Sequence, residues 1–247
     1  MVTFLGSGSK TSVIWRLLHQ LVSNGEKVVL TTTTYILEPK GVPVLITIDP
    51  EPGDVVRTLL TSTVLVLAAK REECTEALPA DPNLTGPFKL LGVPPQVLND
   101  LARRLPGVTW LVEADKVKKE KLAMPIKNGV IVPPTTNRLV LVADIEAVGQ
   151  ALDADTVYQP ELAAQLLNVA PGTRITSELV AKLLGYTALG LSRTLKGVEI
   201  VALLAQYSTH AYPEAERLAR LLMDNAPIKA VCLVSLSSAE PVLGVWQ

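Results

Sequence analysis

The sequence is poor in the residues that build most recognisable sites. Two cysteines, Cys74 and Cys232, and two histidines, His19 and His210, are scattered over 247 residues. With no CxxC pair and no Cys/His cluster, neither a disulfide framework nor a zinc centre can be read from spacing. Charge of one sign is also missing: 23 Lys plus Arg stand against 24 Asp plus Glu, a formal net charge of -1. General nucleic-acid binding, which neutralises many phosphates, needs a basic excess and is disfavoured. Apolar runs such as TVLVLAA, LVLVA and VALLA are strand-sized, far short of the roughly 20 residues that cross a bilayer. The first residues, MVTFLGSGSK, carry neither a charged n-region nor a long apolar stretch, so the expectation is a cytoplasmic protein without a membrane span.

What the chain does have is aliphatic bulk. Hydrophobic residues make up 48% of it and charged ones only 19%, and a chain of this length should bury about three quarters of the surface it exposes when unfolded. Intrinsic disorder is excluded on that composition. Short β-branched and Leu-rich runs alternate with segments of helical period, which predicts an α/β fold with a doubly wound, mostly parallel sheet and helices on both faces. Strands are expected near Val2–Leu5, Lys27–Thr32, Val44–Ile48, Val64–Ala69, Thr109–Val112, Leu139–Ala143, Val198–Leu204 and Ala230–Leu236. Helices are expected over Lys10–Asn24, stopped by Gly25, and over Pro94–Leu105 and Pro213–Asn225. The segment from Asp144 to Lys196 is dominated by helical pattern, with Thr176 or Ser177 as a cap and Leu179, Val180, Leu183 and Leu184 facing inward. The expected organisation is an α/β core over 1–143, a mainly helical insertion over 144–196 and a completion of the core over 197–247.

The most informative segment is the first. A strand, VTFL, runs into Gly6-Ser7-Gly8-Ser9-Lys10-Thr11-Ser12 and then into an amphipathic helix. Two glycines can turn backbone N–H groups inward, a helix N-terminus adds partial positive charge, Lys10 adds a full one, and Thr11 could reach a Mg²⁺. These are the parts of a phosphate-binding loop, here of a short GxGxK[ST] kind, because Ser9 stands where GxxxxGK[ST] has its second glycine. If position 9 needed a positive φ, serine there would cost roughly 1–2 kcal/mol. The alternative is a tight strand-to-helix turn in which Gly and Ser serve only as turn and cap residues. A dinucleotide fingerprint fits less well: Thr11 occupies the place of the third glycine, and the second strand closes in threonines instead of an acidic ribose ligand.

The run Thr109-Trp110-Leu111-Val112-Glu113-Ala114-Asp115 is a hydrophobic strand ending in two carboxylates. In a parallel sheet both fall at the carboxyl edge, where one could hold Mg²⁺ and the other orient an attacking group; the alternative is a pair of solvated acids. Thr31–Thr34 close the second strand. Their hydroxyls could bond a phosphate or a metal-bound water, and Thr33 counts among the candidate binding residues, although threonine is also an ordinary strand former.

Taken in order, GSGSKTS, VVLTTTT, KLLGVPPQVLNDL, WLVEAD, MPIKNGVIVPP and VYQPELAAQLL resemble the YqeC family, accessory proteins of selenium-dependent molybdenum hydroxylases. The resemblance covers nearly the whole chain. It implies a P-loop-like fold, a nucleotide site at Gly6–Thr11 for ATP or GTP with Mg²⁺, and acidic residues at Glu113 and Asp115. It also implies a partner in a molybdenum hydroxylase or a molybdenum-cofactor intermediate, and makes Lys127, in MPIK, a further binding candidate. Three departures mark a divergent member. Ser9 replaces the loop's third glycine. Lys116-Val117-Lys118-Lys119-Glu120-Lys121 follows the acids where the family continues Gly-Ser-Arg-Gly. Ala205-Gln206-Tyr207-Ser208 stands where the family shows an Asn-Gln-x-Asp element.

The lysines after the acidic pair could attract an anionic ligand or simply form a solvated loop. His19 and His210 read as packing or surface residues, and Tyr158, Gln159 and Glu161 match a family motif to which the residues themselves assign no role. Three functions compete: a nucleotide-dependent enzyme (hydrolase, transferase or ligase), a binding or maturation protein that has lost turnover, and, least favoured, a dinucleotide oxidoreductase.

Overall fold

The computed structural model describes residues 1–74, 85–115, 120–123, 131–205 and 211–247. In chain order the elements are β1 (Val2–Gly6), α1 (Lys10–Ser23), β2 (Val28–Thr32), β3 (Tyr35–Pro39), β4 (Val44–Ile46), α2 (Pro52–Thr61), β5 (Val64–Ala68), β6 (Lys70–Glu73), β7 (Thr85–Leu91), α3 (Pro95–Arg104), β8 (Thr109–Glu113), β9 (Leu122–Ala123), β10 (Arg138–Asp144), β11 (Val157–Tyr158), α4 (Pro160–Leu167), α5 (Ser177–Thr194), β12 (Glu199–Ala205), α6 (Tyr212–Asn225), β13 (Ala230–Val234) and β14 (Val242–Trp246). Among the described residues there are six α-helices, a mostly parallel sheet of nine strands, a three-stranded sheet and a two-stranded sheet. The α/β expectation holds, and each of the eight expected strands is present.

Two compact units divide the chain. The first comprises Met1–Thr3, Ile14–Lys116 and Ile131–Thr136. Its large-sheet strands run β8-β2-β5-β4, all parallel. Every residue of β2 is buried, as is Leu65–Ala68 of β5. Strands covered on both faces cannot alternate apolar with polar residues, which is why they read as unbroken Val/Leu runs. Leu98 and Leu101 of α3 and Val55 and Leu59 of α2 add to this core. The three-stranded sheet β3-β7-β6 is antiparallel and also lies in this unit.

The second unit comprises Phe4–Val13, Val117–Val130 and Asn137–Gln247. Here β10, β12 and β13 are parallel neighbours, and β14 closes the edge antiparallel to β13. Six of the seven residues of β10 are buried. The span 144–196 falls wholly in this unit and carries β11, α4 and α5. Thr176 caps α5, its hydroxyl accepting the Leu179 N–H at 3.4 Å, and Leu179, Val180, Leu183 and Leu184 are buried, as the helical pattern predicts. Gly25, with φ +82°, ends α1 in a left-handed turn in which the Glu26 N–H returns to the Leu21 carbonyl at 3.0 Å.

Candidate functional site

The glycine loop lies in the second unit. β1 delivers the chain to Gly6, whose φ of +115° and close approach to β10 exclude any side chain: a Cβ there would sit 1.9 Å from the Val142 carbonyl oxygen. The Ser7 N–H donates to that same carbonyl at 3.1 Å, which pins the loop to β10. Gly8, with φ +65°, makes the second left-handed turn. Ser9 needs no such conformation, so the serine cost conceived for position 9 does not arise. Its carbonyl instead accepts the Val13 N–H at 2.9 Å, which puts Ser9 at the N-cap position of α1, while its hydroxyl has no hydrogen-bond partner among the described residues.

Lys10 is the first helical residue and is 1% exposed. Its ammonium turns back and donates to the Gly6 carbonyl at 3.3 Å, so the charge lies against the loop instead of in solvent. Thr11 is half-buried and Ser12 exposed. The Ser7 hydroxyl is buried and has no hydrogen-bond partner among the described residues.

One residue of this loop's surroundings was not among the expected ones. Asp144, the last residue of β10, is 7% exposed, and its Oδ1 accepts the Ser9 N–H at 3.2 Å. Its other oxygen lies 2.2 Å from where a Cβ on Gly8 would be, so Gly8 is also the space in which this carboxylate sits. Burial pushes the Asp144 carboxyl above its ordinary value, with Glu146 adding to the rise; the hydrogen bond from Ser9 and then Lys121 oppose it. The sequence did hold a signal, since LVLVAD ends a buried strand in an acid just as WLVEAD does.

The acidic strand end lies in the first unit. Glu113 and Asp115 are 1% and 2% exposed, so the reading as solvated acids is excluded. The threonine run is tied to their main chain: the Thr32 hydroxyl donates to the Glu113 carbonyl at 2.7 Å, the Thr33 N–H to the same carbonyl at 3.1 Å, and the Thr34 hydroxyl to the Asp115 carbonyl at 3.0 Å. The Thr31 hydroxyl donates to the Leu67 carbonyl at 2.8 Å. Structural work therefore occupies three of the four hydroxyls. The Thr33 hydroxyl is buried without a hydrogen-bond partner among the described residues.

Lys127, Lys116, Lys118, Lys119, His210 and Gln206–Ser208 lie outside the described residues. Lys121 lies within them, its carbonyl accepting the Asp144 N–H at 3.0 Å. His19 is exposed and its ring stands 6.2 Å from that of Trp15. Gln159, in the VYQPE segment, holds a left-handed φ of +57° ahead of Pro160.

The family model described as "YqeC protein" matches residues 2–161. The chain belongs to the YqeC family. A curated relative, "Uncharacterized protein YqeC" of Escherichia coli (strain K12), is 24% identical over 183 residues, covering 73% of this chain and 66% of the relative. Among solved structures, chloroplast FtsY from Physcomitrella patens is similar over 93% of this chain and 57% of that one, at 12% identity and a TM-score of 0.40. This chain thus spans about two thirds or less of the lengths of the proteins it matches.

The residues present suit a nucleotide with Mg²⁺ by their donor chemistry. A buried lysine at a helix N-terminus and two buried serine hydroxyls, of Ser7 and Ser9, without partners among the described residues suit phosphate oxygens, although the Ser7 and Ser9 amides are already donated within the protein. Carboxylates and threonine hydroxyls are the hard oxygen donors Mg²⁺ takes, usually one or two at a time together with substrate phosphates. Among the described residues no three His, Cys, Asp or Glu side chains converge into a metal cage, so an all-protein site is not offered there. No helix among them is long and apolar enough to cross a membrane.

Proposed function

We propose that this YqeC-family protein binds ATP or GTP with Mg²⁺ at the loop Gly6–Thr11 and acts in the cytoplasm as an accessory protein in the maturation of selenium-dependent molybdenum hydroxylases. The observation that carries the nucleotide reading is the loop itself: two glycines held left-handed against β10 and a buried lysine at the first position of the following helix. The maturation role, with a hydroxylase or a molybdenum-cofactor intermediate as partner, rests on the sequence resemblance.

In this reading the loop amides and Lys10 bind the phosphates, with Ser7, Ser9 and Ser12 bordering them. Thr11 is assigned to the metal from the loop; the assignment of Glu113 and Asp115 to the metal, and of one of them to orienting the nucleophile, rests on the sequence resemblance alone. Thr33 and Lys127 remain binding candidates on the sequence reading alone. Bound with the nucleotide, Mg²⁺ would neutralise charge on a phosphoryl group in transfer. Hydrolysis and transfer to an acceptor use the same parts.

A second reading, a binding protein without turnover, is favoured by one observation: the Ser9 amide is already donated to Asp144.

A thermal-shift titration tests the binding. Ligand at a hundred times its Kd adds about 2.7 kcal/mol, which for a chain of this size raises Tm by roughly 5–10 °C. That rise is expected with Mg²⁺ and ATP or GTP and should be lost in Lys10→Ala. No rise with any nucleotide at millimolar concentration refutes the proposal. A rise without phosphate release favours the second reading.

A further inference from the structure

A phosphate-binding loop works because its amides point at nothing of the protein's own and so await an anion. Here two of them do not wait: the Ser7 N–H is held by the Val142 carbonyl of β10, and the Ser9 N–H by a carboxylate. The Ser9 N–H is donated to an oxygen of Asp144, and the same carboxylate fills the space beside Gly8 that a methyl group would otherwise take. A buried carboxylate on a loop amide is chemically what a phosphate oxygen on that amide would be: an anionic oxygen accepting from N–H. Asp144 belongs to β10, which also holds the loop through the Val142 carbonyl, so its position is fixed by the sheet and not by a mobile side-chain search.

We propose that Asp144 is an internal occupant of the loop's anion seat and sets which anions the loop accepts. This rests on the reading of Gly6–Thr11 as a phosphate site. A phosphate group reaching the Ser9 amide must displace the carboxylate, or arrive when that carboxylate is neutralised. Two like charges cannot share the amide in a buried setting, so the incoming anion raises the proton affinity of Asp144 and binding takes up a proton. Asp144 therefore discriminates against fully ionised phosphates and favours anions whose charge is offset by a bound cation. The charged groups acting on this carboxylate are Glu146, which opposes its ionisation, and Lys121, which favours it; Lys10, on the loop's own helix, lies buried against Gly6.

The test compares wild type, Asp144→Asn, Asp144→Ala and Lys10→Ala by calorimetric titration with ATP, with and without Mg²⁺, and with sulfate, which does not titrate near neutral pH. Asn keeps the size and can still accept the Ser9 N–H; Ala vacates the space. Losing a charge-assisted hydrogen bond as competitor should tighten ATP without Mg²⁺ by at least about tenfold in both Asp144 variants, with a smaller gain when Mg²⁺ is present. Wild-type sulfate affinity should rise as pH falls, and that slope should vanish in Asp144→Asn. The wild-type slope needs no variant, so it stands even if a substitution impairs folding. If the wild type binds ATP in a Lys10-dependent way but the Asp144 variants bind no tighter, or bind weaker with Mg²⁺, the occupant assignment is wrong while the phosphate site stands. If no variant binds any of the anions, both fail.

Discussion

Glycine-to-alanine substitution separates two costs that the loop combines. Gly25 and Gly6 both hold positive φ, but a Cβ on Gly25 meets nothing within 4 Å, whereas one on Gly6 would lie 1.9 Å from the Val142 carbonyl oxygen. Gly92 is the complement: no positive φ, but a Cβ 1.7 Å from the Thr32 carbonyl oxygen. Gly25→Ala carries only the left-handed penalty, about 1–2 kcal/mol, reduced by the stiffer unfolded chain to about 1 kcal/mol. Gly6→Ala carries that penalty plus about 1–3 kcal/mol of overpacking. Because β1 and β10 must part, it also strains the Ser7 N–H to Val142 carbonyl bond, at about 1–3 kcal/mol if the buried partners are left unsatisfied. Together these come to about 3–7 kcal/mol. For a chain of this size that lowers Tm by roughly 6–28 °C, against about 2–4 °C for Gly25→Ala, with Gly92→Ala between them. Urea denaturation followed by circular dichroism, alongside thermal melts, reads all three. If Gly6→Ala costs no more than Gly25→Ala, the close approach of the loop to β10 is wrong, and with it the geometry assigned to the phosphate site.

Three further outcomes can be checked. Thr32→Val removes the buried bond to the Glu113 carbonyl and should cost about 1–2 kcal/mol in urea denaturation. Thr33→Val removes a hydroxyl with no partner among the described residues; it should leave stability within about 0.5 kcal/mol, yet weaken Mg²⁺-nucleotide binding if the site is as proposed. For Asp144, burial raises the folded-state value, so the folded protein holds this proton more tightly than the unfolded chain does. Its contribution is present in full below the ordinary carboxylate value and is lost as pH rises through the raised one. Relative to Asp144→Asn, the wild type should therefore lose stability across that window. A urea midpoint series from about pH 4 to about pH 8 that shows the opposite slope would exclude the burial argument.

Buried parallel strands were the most legible part of the fold, because burial on both faces favours runs of Val, Leu and other apolar residues. The strands that escaped sequence reading are of the other kind. β6 reads Lys-Arg-Glu-Glu, and its pairing with β7 is accompanied by side-chain partners on other segments. Arg71 pairs with Glu38 at 2.7 Å and stacks over the Phe88 ring at 3.7 Å from its centroid. Neither partner is adjacent in sequence, so no local pattern announces the strand. β7 contains Gly86 and Pro87, which read as a breaker. β14 is mostly exposed and, among the described residues, pairs with β13 alone.

The candidate site divides in the same way. Strand, glycines, lysine and helix follow one another in the chain, so the loop was legible: its chemistry is local, set by φ freedom and by where a helix must begin. The acidic end of β8 was legible too, as two carboxylates after a hydrophobic run. What the sequence left open, tertiary structure decided through contacts between residues far apart in the chain. Packing buries Glu113 and Asp115, binds three of the threonine hydroxyls to carbonyls and leaves the Thr33 hydroxyl over. Above all it brings Asp144, 135 positions away in sequence, onto the Ser9 amide. Composition and periodicity specify which residues can form a strand or turn a loop; which carboxylate fills the turn depends on how parallel strands are ordered in the sheet, and strand order is a property of the fold alone.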